Sequence, residues 1–522
     1  MGELKMMKNL TKALLQSSLA VPFLLGFFFV LITYTVSDQF VFSHSLTTHV
    51  TQSNPLKDAT STIPENTTKD GQFTKEKFPE AEHHVKNSGN DRTNEHSKNI
   101  DETEKVQDHA TLVPIPETEK KDAPNSDNSG GKFENFEQSP TTIPICNTQS
   151  PLSDTCDTQK GDIRTHGISS TVLIVPKFST GGNAPQEWKI RPYSRKHMES
   201  IKKVTVKQLN GPQEAPPCTV NNKYPALVFA LGGLIGNYWH DFTDVLVPLF
   251  IASRQFDRKV QFLVTNIQPW WLGKYETIIR ALSRYEIIDF DKDNQVRCFP
   301  RVLVGLEMHK EFSIDPSRAP NGYSMVDFTK FLRSTFHLER DHPIKLSQNP
   351  GAKPRLLIIN RTNYRKFNNT PEIALLAEKL GFETVVSDPK FNLGLAEFAK
   401  TVNSFDVLLG GHGAGLTNSV FLPTNAIVIQ VVPYGNLEHM AKVDFGDPIV
   451  DMNLKYLEYS ISAEESTLME MLGKDHPVIK DPISIHQQGW DKVAEYYLGK
   501  QDMRVNVDRF APTLLKALEL LK

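Results

Sequence analysis

The 522-residue sequence predicts two α/β domains in tandem, facing each other across a cleft and preceded by a transmembrane helix and a disordered stem. Three observations predict this. Residues 13–37 carry no charged side chain and centre on LLGFFFVLI. Residues 38–144 are polar and show no sustained hydrophobic period. Beyond them, short apolar runs alternate with helix-length periodic segments, and the alternation culminates in FDVLLGGHGAGLTNSVFLPTNAIVIQV, a glycine-dense turn between two apolar runs. With 39% hydrophobic and 23% charged residues and a net charge of −3, the composition fits a globular protein with a polar addition, and no basic stripe is present to meet a nucleic-acid backbone.

The apolar segment from Ala13 to Ser37 would measure roughly 37 Å as a helix, enough to span a bilayer. Lys5, Lys8 and Lys12 precede it, so residues 1–12 read as a cytoplasmic tail and the rest of the chain as luminal, a type II topology. A cleaved signal peptide is the alternative, but the apolar region is longer than the usual core of one and ends in YTVSDQF without a small-x-small site. Residues 38–144, rich in Thr, Ser, Asn, Glu, Lys, Asp and Pro, cannot bury enough apolar surface to fold and read as a flexible stem. Sequons begin at Asn66, Asn360 and Asn368. All four cysteines lie on the luminal side, where three connectivities are open. The pairing Cys146–Cys156 would close a small loop at the end of the stem, and Cys218–Cys298 would tie the two ends of one α/β segment. Their spacing matches no zinc pattern.

Residues 145–345 read as the first α/β domain, with strands at Thr171 to Val175, Tyr224 to Leu231, Val260 to Thr265, Glu286 to Asp289 and Val296 to Val304. Helices are expected from Asn237 and around Tyr275 to Leu282. Residues 339–353 look like a linker. Residues 346–522 read as the second domain, with strands at Arg355 to Asn360, Glu383 to Val386 and Phe405 to Leu409, helices opening near Pro371 and Leu393, and a closing amphipathic helix from Pro512 to Leu521.

Three clusters point to chemistry. In the glycine turn, Gly413, Gly415 and Ala414 let backbone approach a ligand, the following helix start offers N–H groups to an anion such as a diphosphate, and His412, Thr417 and Asn418 add side-chain donors around Leu416. Arg361 and Arg365, in NRTNYRKFNN, are planar donors for phosphate oxygens. On the helix from Asn237, His240 and Asp244 stand four residues apart with Asp241 beside them; a carboxylate behind an imidazole makes a general base. His309 and Glu307 are the fallback. Asp289, Asp291 and Asp293 form overlapping Asp-x-Asp patterns that read as a polar turn, so no metal is expected.

GGLIGNYWHDFTDVLVPLFIASRQF, VRCFPRVLVGL, INRTNYRKFNN and GGHGAGLTNSVFLPTNAIVIQVVPYG together resemble the plant xylan arabinosyl- and xylosyltransferases of glycosyltransferase family 61, from about Ile145 to the C-terminus. The resemblance implies a Golgi type II membrane enzyme with a GT-B-like pair of Rossmann domains, transferring a pentose from a UDP-sugar to a xylan or other polysaccharide acceptor with inversion. Carried onto this chain, the phosphate role falls to Arg361, Arg365 and the turn from His412 to Asn418, and the base role to His240 or Asp241. The implied partners are the UDP-sugar, the polysaccharide and the Golgi membrane, with association with other glycosyltransferases left open. A membrane-anchored carbohydrate-binding or scaffold subunit is the rival reading. A hydrolase or nucleotidase lacks a convincing carboxylate pair or metal-ligand set.

Overall fold

The computed structural model describes residues 144–179, 186–387 and 394–522. The expected tail (1–12), anchor (13–37), stem up to residue 143 and the sequon at Asn66 lie outside the described residues. Among those described, no helix is long and apolar enough to cross a membrane.

The N-terminal strands are β1 (Ile145–Asn147), β2 (Thr155–Asp157), β3 (Asp162–His166), β4 (Thr171–Val175), β5 (Glu187–Ile190), β6 (Val204–Gln208), β7 (Val220–Asn221), β8 (Ala226–Ala230), β9 (Gln261–Thr265), β10 (Ile288–Asp289), β11 (Val296–Phe299) and β12 (Val302–Val304). They form two sheets, ordered β1-β2-β12-β8-β9-β10 and β5-β6-β4-β3-β11-β7. In the first, β12, β8, β9 and β10 run parallel, and every residue of β8 and β9 is buried, as expected for strands covered on both faces. Strand β3, by contrast, alternates buried and more exposed positions and pairs antiparallel with β4 and β11. The expected single strand from Val296 to Val304 is two strands in different sheets. Pro300 divides them, because proline donates no ladder hydrogen bond.

Helix α1 begins at Tyr238–His240, passes through a π-helical segment at Asp241–Leu246 and continues over Val247–Ser253. Helix α2 (Pro269–Leu282) starts well before the expected Tyr275, and α3 (Met325–Phe336) opens on a Ser324–Asp327 capping box.

The C-terminal elements are β13 (Arg355–Ile359), α4 (Thr370–Leu380), β14 (Glu383–Val386), α5 (Leu395–Asn403), β15 (Val407–Gly411), a 3₁₀ helix at Ala414–Phe421, β16 (Ile427–Val432), α6 and β17 (Lys455–Ser460). Helix α6 joins Glu438–Ala441, a second π-helical segment at Lys442–Gly446, and Asp447–Asp451. The sheet is wholly parallel, in the order β14-β13-β15-β16-β17. The closing helix α7 (Val507–Leu520) is longer than expected and carries Pro512 inside it. It buries Phe510, Leu514 and Ala517 against this sheet's core.

The expected linker is tied down. Buried Asp406 accepts from Arg340 at 2.5 Å, from the Ile344 amide at 2.8 Å and from the Arg355 amide at 2.8 Å. A continuous apolar core runs from Leu227, Phe242 and Phe250 to Leu416 and Phe421, so α1 is packed directly onto the 3₁₀ helix; the Phe242 and Phe421 rings meet edge-on at 6.3 Å. Disulfides join Cys146 to Cys156, which face each other across β1 and β2, and Cys218 to Cys298.

Candidate active site

Strand β13 lies between β14 and β15, so the chain leaves its carboxyl end and that of β15 in opposite directions and opens a crevice. Arg361 and Arg365 leave β13; His412 and Gly413 leave β15. Gly413 has φ +132°, and a Cβ there would stand 2.9 Å from Nη1 of both arginines. Only glycine lets the two guanidinium groups close on the turn. Arg365 Nη1 donates to the His412 carbonyl at 2.9 Å, and Arg361 Nε donates to the Tyr364 carbonyl at 2.9 Å. Among the described residues, neither forms an ion pair with a carboxylate. Burial lowers the Arg361 guanidinium, and burial followed by the charge of Arg361 lowers Arg365 to about 10. Two desolvated cations side by side are costly, and a dianion relieves both at once.

His412 is 4% exposed, and its Nδ1 lies 2.8 Å from Gln430 Nε2. An amide nitrogen only donates, so Nδ1 accepts and the ring proton sits on Nε2. Burial, then the charges of Arg365 and Arg361, lower this ring to about 3 and keep it neutral.

Beyond Ala414 the side chains of the turn pack inward rather than into the cavity that His412 lines. The 3₁₀ helix directs Leu416 and Thr417, both fully buried, into the protein, and Gly415 lies against Ile359, whose Cγ2 would be 2.9 Å from a Cβ. Asn418 donates to the Gly415 carbonyl at 2.8 Å. His412, Gly413 and Ala414 line the cavity; Gly415, Leu416, Thr417 and Asn418 do not.

The opposite wall is the start of α1. His240 Nδ1 lies 3.1 Å from Asp244 Oδ2, on the face that the four-residue spacing indicates. Asp244 is fully buried and also accepts from Tyr193 Oη at 2.9 Å and Arg195 Nε at 2.9 Å. Arg195 in turn holds Glu311 through two bonds, at 2.9 and 2.6 Å. Burial would lower the Arg195 guanidinium, but its bonds to Glu311 and Asp244 raise it above its ordinary value.

Asp241, the alternative base, is enclosed by protein donors. It is fully buried and accepts from four donors: Gly236 N at 2.9 Å, Trp271 Nε1 at 2.8 Å, Lys274 Nζ at 3.1 Å and Tyr275 Oη at 2.6 Å. Four donors fill the lone pairs of a carboxylate and leave none for a substrate proton. His309 and Glu307 lie away from this cavity, and Glu307 is bound by Arg318 at 2.6 Å.

His240, Arg195 and Glu311 from one wall and Arg365, His412 and Gly413 from the other enclose about 380 Å³. Sequence reasoning missed Arg195, Glu311, Trp239, Asp444 and Trp490 of this lining. Asp444 sits in the π-helical segment of α6, with Oδ2 3.8 Å from His412 Nε2. Burial first, then the charge of Glu311, push its carboxyl up to about 7, against the pull of Arg195 and His240. Trp239 Nε1 donates to its carbonyl at 3.3 Å and so links the walls. A charged residue between Val443 and Phe445 was the only sequence signal for it.

The Asp-x-Asp residues are all engaged by protein groups. Asp289 pairs with Lys292 at 2.8 Å, Asp291 accepts from the Asn266 amide at 2.6 Å, and Asp293 pairs with Arg297 at 2.6 Å. Asp162, Cys218 and Cys298 converge within 4.8 Å, but the two cysteines are joined to each other. Asn368 is exposed, whereas Asn360 is half-buried next to Arg361.

The glycosyltransferase 61 family model matches residues 238–429, from the first turn of α1 to within β16. The chain is 46% identical over 395 residues to a beta-1,2-xylosyltransferase of Oryza sativa subsp. japonica, covering 72% of this chain and 84% of that one. It is 44% identical to an alpha-1,3-arabinosyltransferase of the same plant, covering 72% of this chain and 65% of the relative, and 33% identical to a xylan glycosyltransferase of Arabidopsis thaliana, covering 71% and 78%. Similarity of this extent makes the chain a glycosyltransferase, and it belongs to glycosyltransferase family 61.

Proposed function

We propose that this protein transfers a pentose, xylosyl or arabinofuranosyl, from a UDP-sugar to a xylan chain in cell-wall polysaccharide synthesis, inverting the anomeric centre in one displacement. The observation that carries the reading is the pair Arg361 and Arg365, half-buried on Gly413 without a carboxylate among the described residues, with Arg365 facing His240 across one cavity. The arginines and the turn at His412, Gly413 and Ala414 hold the diphosphate and stabilise it as it leaves. His240, oriented by Asp244, takes the proton of the acceptor hydroxyl as that oxygen bonds to the anomeric carbon and the bond to UDP breaks. The proton ends on His240 and the electron pair on UDP. Two cations already at the diphosphate supply the charge that a metal would otherwise bring, so no metal is required. The parallel C-terminal sheet opposite an α/β half supports a GT-B-like arrangement, with donor binding assigned to residues 346–522 and acceptor binding to 145–345. Residues 13–37 serve as the signal anchor of a single-pass type II Golgi protein, with residues 38–144 as its stem.

The test is to incubate the detergent-solubilised full chain with UDP-xylose or UDP-arabinofuranose and xylo-oligosaccharides and to read products by mass spectrometry. A pentosylated product that His240→Ala reduces by about a hundredfold is expected. UDP binding without any transfer would favour a non-catalytic scaffold.

A further inference from the structure

The geometry points to Asp444 as the residue that holds the transferred sugar: its carboxylate accepts hydrogen bonds from hydroxyls of the donor's pentose ring, while His412 donates to the same hydroxyls. This rests on the glycosyl-transfer reading above and specifies which side chains of that site meet the sugar rather than the diphosphate.

Asp444 is placed to meet the sugar. Arg365 is bonded to the His412 carbonyl, and the ring nitrogen of the same residue lies 3.8 Å from Asp444 Oδ2. A sugar attached to a diphosphate held at this turn therefore lies past His412 within the cavity that Asp444 lines together with His240.

Hydrogen bonds of the site are left open at this point. Only the backbone carbonyl of Asp444 is engaged, by Trp239; among the described residues no side chain or amide donates to its carboxylate. His412 has its proton on Nε2, and 3.8 Å to Asp444 Oδ2 is too long for a direct bond. A hydroxyl seated beside both atoms accepts from the imidazole N–H and donates to the carboxylate, satisfying two groups that the protein leaves open. Sugar hydroxyls are donor and acceptor at once, whereas diphosphate oxygens only accept and would be repelled here.

The electrostatics of the site also favour a neutral group beside Asp444. The groups facing Asp444 are Glu311, Arg195 and His240 from the N-terminal wall and His412 and Arg365 from its own. Arg195 is already committed to Glu311 and Asp244, so it does not neutralise Asp444. A neutral polyol relieves such a half-buried carboxylate without bringing in further charge.

The test compares UDP with UDP-xylose and UDP-arabinofuranose, by calorimetry and by steady-state kinetics, on the solubilised full chain and its Asp444→Ala and Asp444→Asn variants. The expected result is a UDP affinity unchanged within about twofold, a loss of at least tenfold in the preference for UDP-pentose over UDP in Asp444→Ala, partial retention in Asp444→Asn, and a raised donor KM with an unchanged acceptor KM. Donor KM of the unaltered protein should rise as pH falls below about 7, where the carboxyl takes up its proton, and Asp444→Asn should abolish that dependence. A preserved preference in Asp444→Ala overturns the inference alone. So does a parallel loss of UDP affinity, which would mark a structural role, or a fall in kcat with donor KM unchanged, which would make Asp444 the base. Failure of the unaltered protein to bind UDP at all overturns the glycosyl-transfer reading and this inference with it.

Discussion

The two walls of the cavity treat charge in opposite ways. On the α1 wall every buried charge is paired: Asp241 has four donors, and Asp244 holds His240, Tyr193 and Arg195, with Arg195 spent again on Glu311. On the wall built from the carboxyl ends of β13 and β15 and the π-helical segment of α6, Arg361, Arg365, His412 and Asp444 are desolvated with no full partner among the described residues, and all four depart from their ordinary protonation behaviour. Charges satisfied by the protein position a group; charges left open bind something that arrives later. The first wall reads as a rigid mount for His240, and the second as a socket for a charged and hydroxylated donor.

The comparison breaks most visibly if buried charge is removed from each wall in turn. Asp244→Ala leaves Arg195 and Tyr193 facing an empty site, and loss of one partner of a buried pair costs about 3–5 kcal/mol. Chemical denaturation should register that loss. Arg365→Ala, in the ligand-free protein, should cost no stability, because it removes a desolvated cation beside Arg361. Equal destabilisation in the two variants would erase the distinction between the walls. Next in size is binding: Arg365→Ala and Arg361→Ala should each weaken UDP binding by about 1.5–3 kcal/mol, the worth of a charge-assisted hydrogen bond, as measured by calorimetry. Asp241→Asn sharpens the contrast within one wall. It should cost about 1–3 kcal/mol of stability, since an amide cannot accept from all four donors, yet leave turnover per folded molecule within a few-fold. A hundredfold drop in turnover would restore Asp241 as a candidate base.

Local signals made the socket legible in the sequence. The glycine turn, the two arginines and the His240–Asp244 spacing are each contained within one short segment, and strands β13 to β15 follow apolar runs that need no partner to be recognised. What escaped was non-local. Arg195 lies in RPYSRKHMES and Glu311 in MHKEFS, stretches that read as solvated until the fold brings them to Asp244. Asp444 resembles a surface acid on a helix until Trp239 of α1 and His412 partly cover it. The mixed sheet was hidden because β11 and β12 read as one strand-like run with only Pro300 and Arg301 between them, and the partner of each half lies far away in sequence. Gly415 through Asn418 were assigned to the ligand because glycine spacing reveals close approach but not whether the neighbour is a phosphate or Ile359.

The smallest expected effect comes from the two titrating groups of the socket, which pull against each other. Asp444, raised to about 7 from an ordinary 3.8, keeps a proton in the folded protein that the unfolded chain has lost, so its contribution to stability falls as pH rises through that window. His412, lowered to about 3 from 6.5, stays neutral in the folded protein while the unfolded chain takes up a proton. Its contribution is complete above about 6.5 and is lost as pH falls toward 3. Between about pH 4.5 and 6.5 the two slopes oppose each other. Asp444→Asn therefore unmasks His412, and its melting temperature should drop more steeply on acidification than that of the unaltered protein. His412→Gln unmasks Asp444 and should melt higher, relative to the unaltered protein, as pH falls. One proton of difference is worth at most about 1.4 kcal/mol per pH unit, and Asp444 keeps some solvent contact, so the change in slope should be about 1–2 °C per unit in thermal melts. Parallel pH profiles for all three proteins would show that Asp444 and His412 are solvated, and the contrast between a paired and an open wall would lose its electrostatic basis.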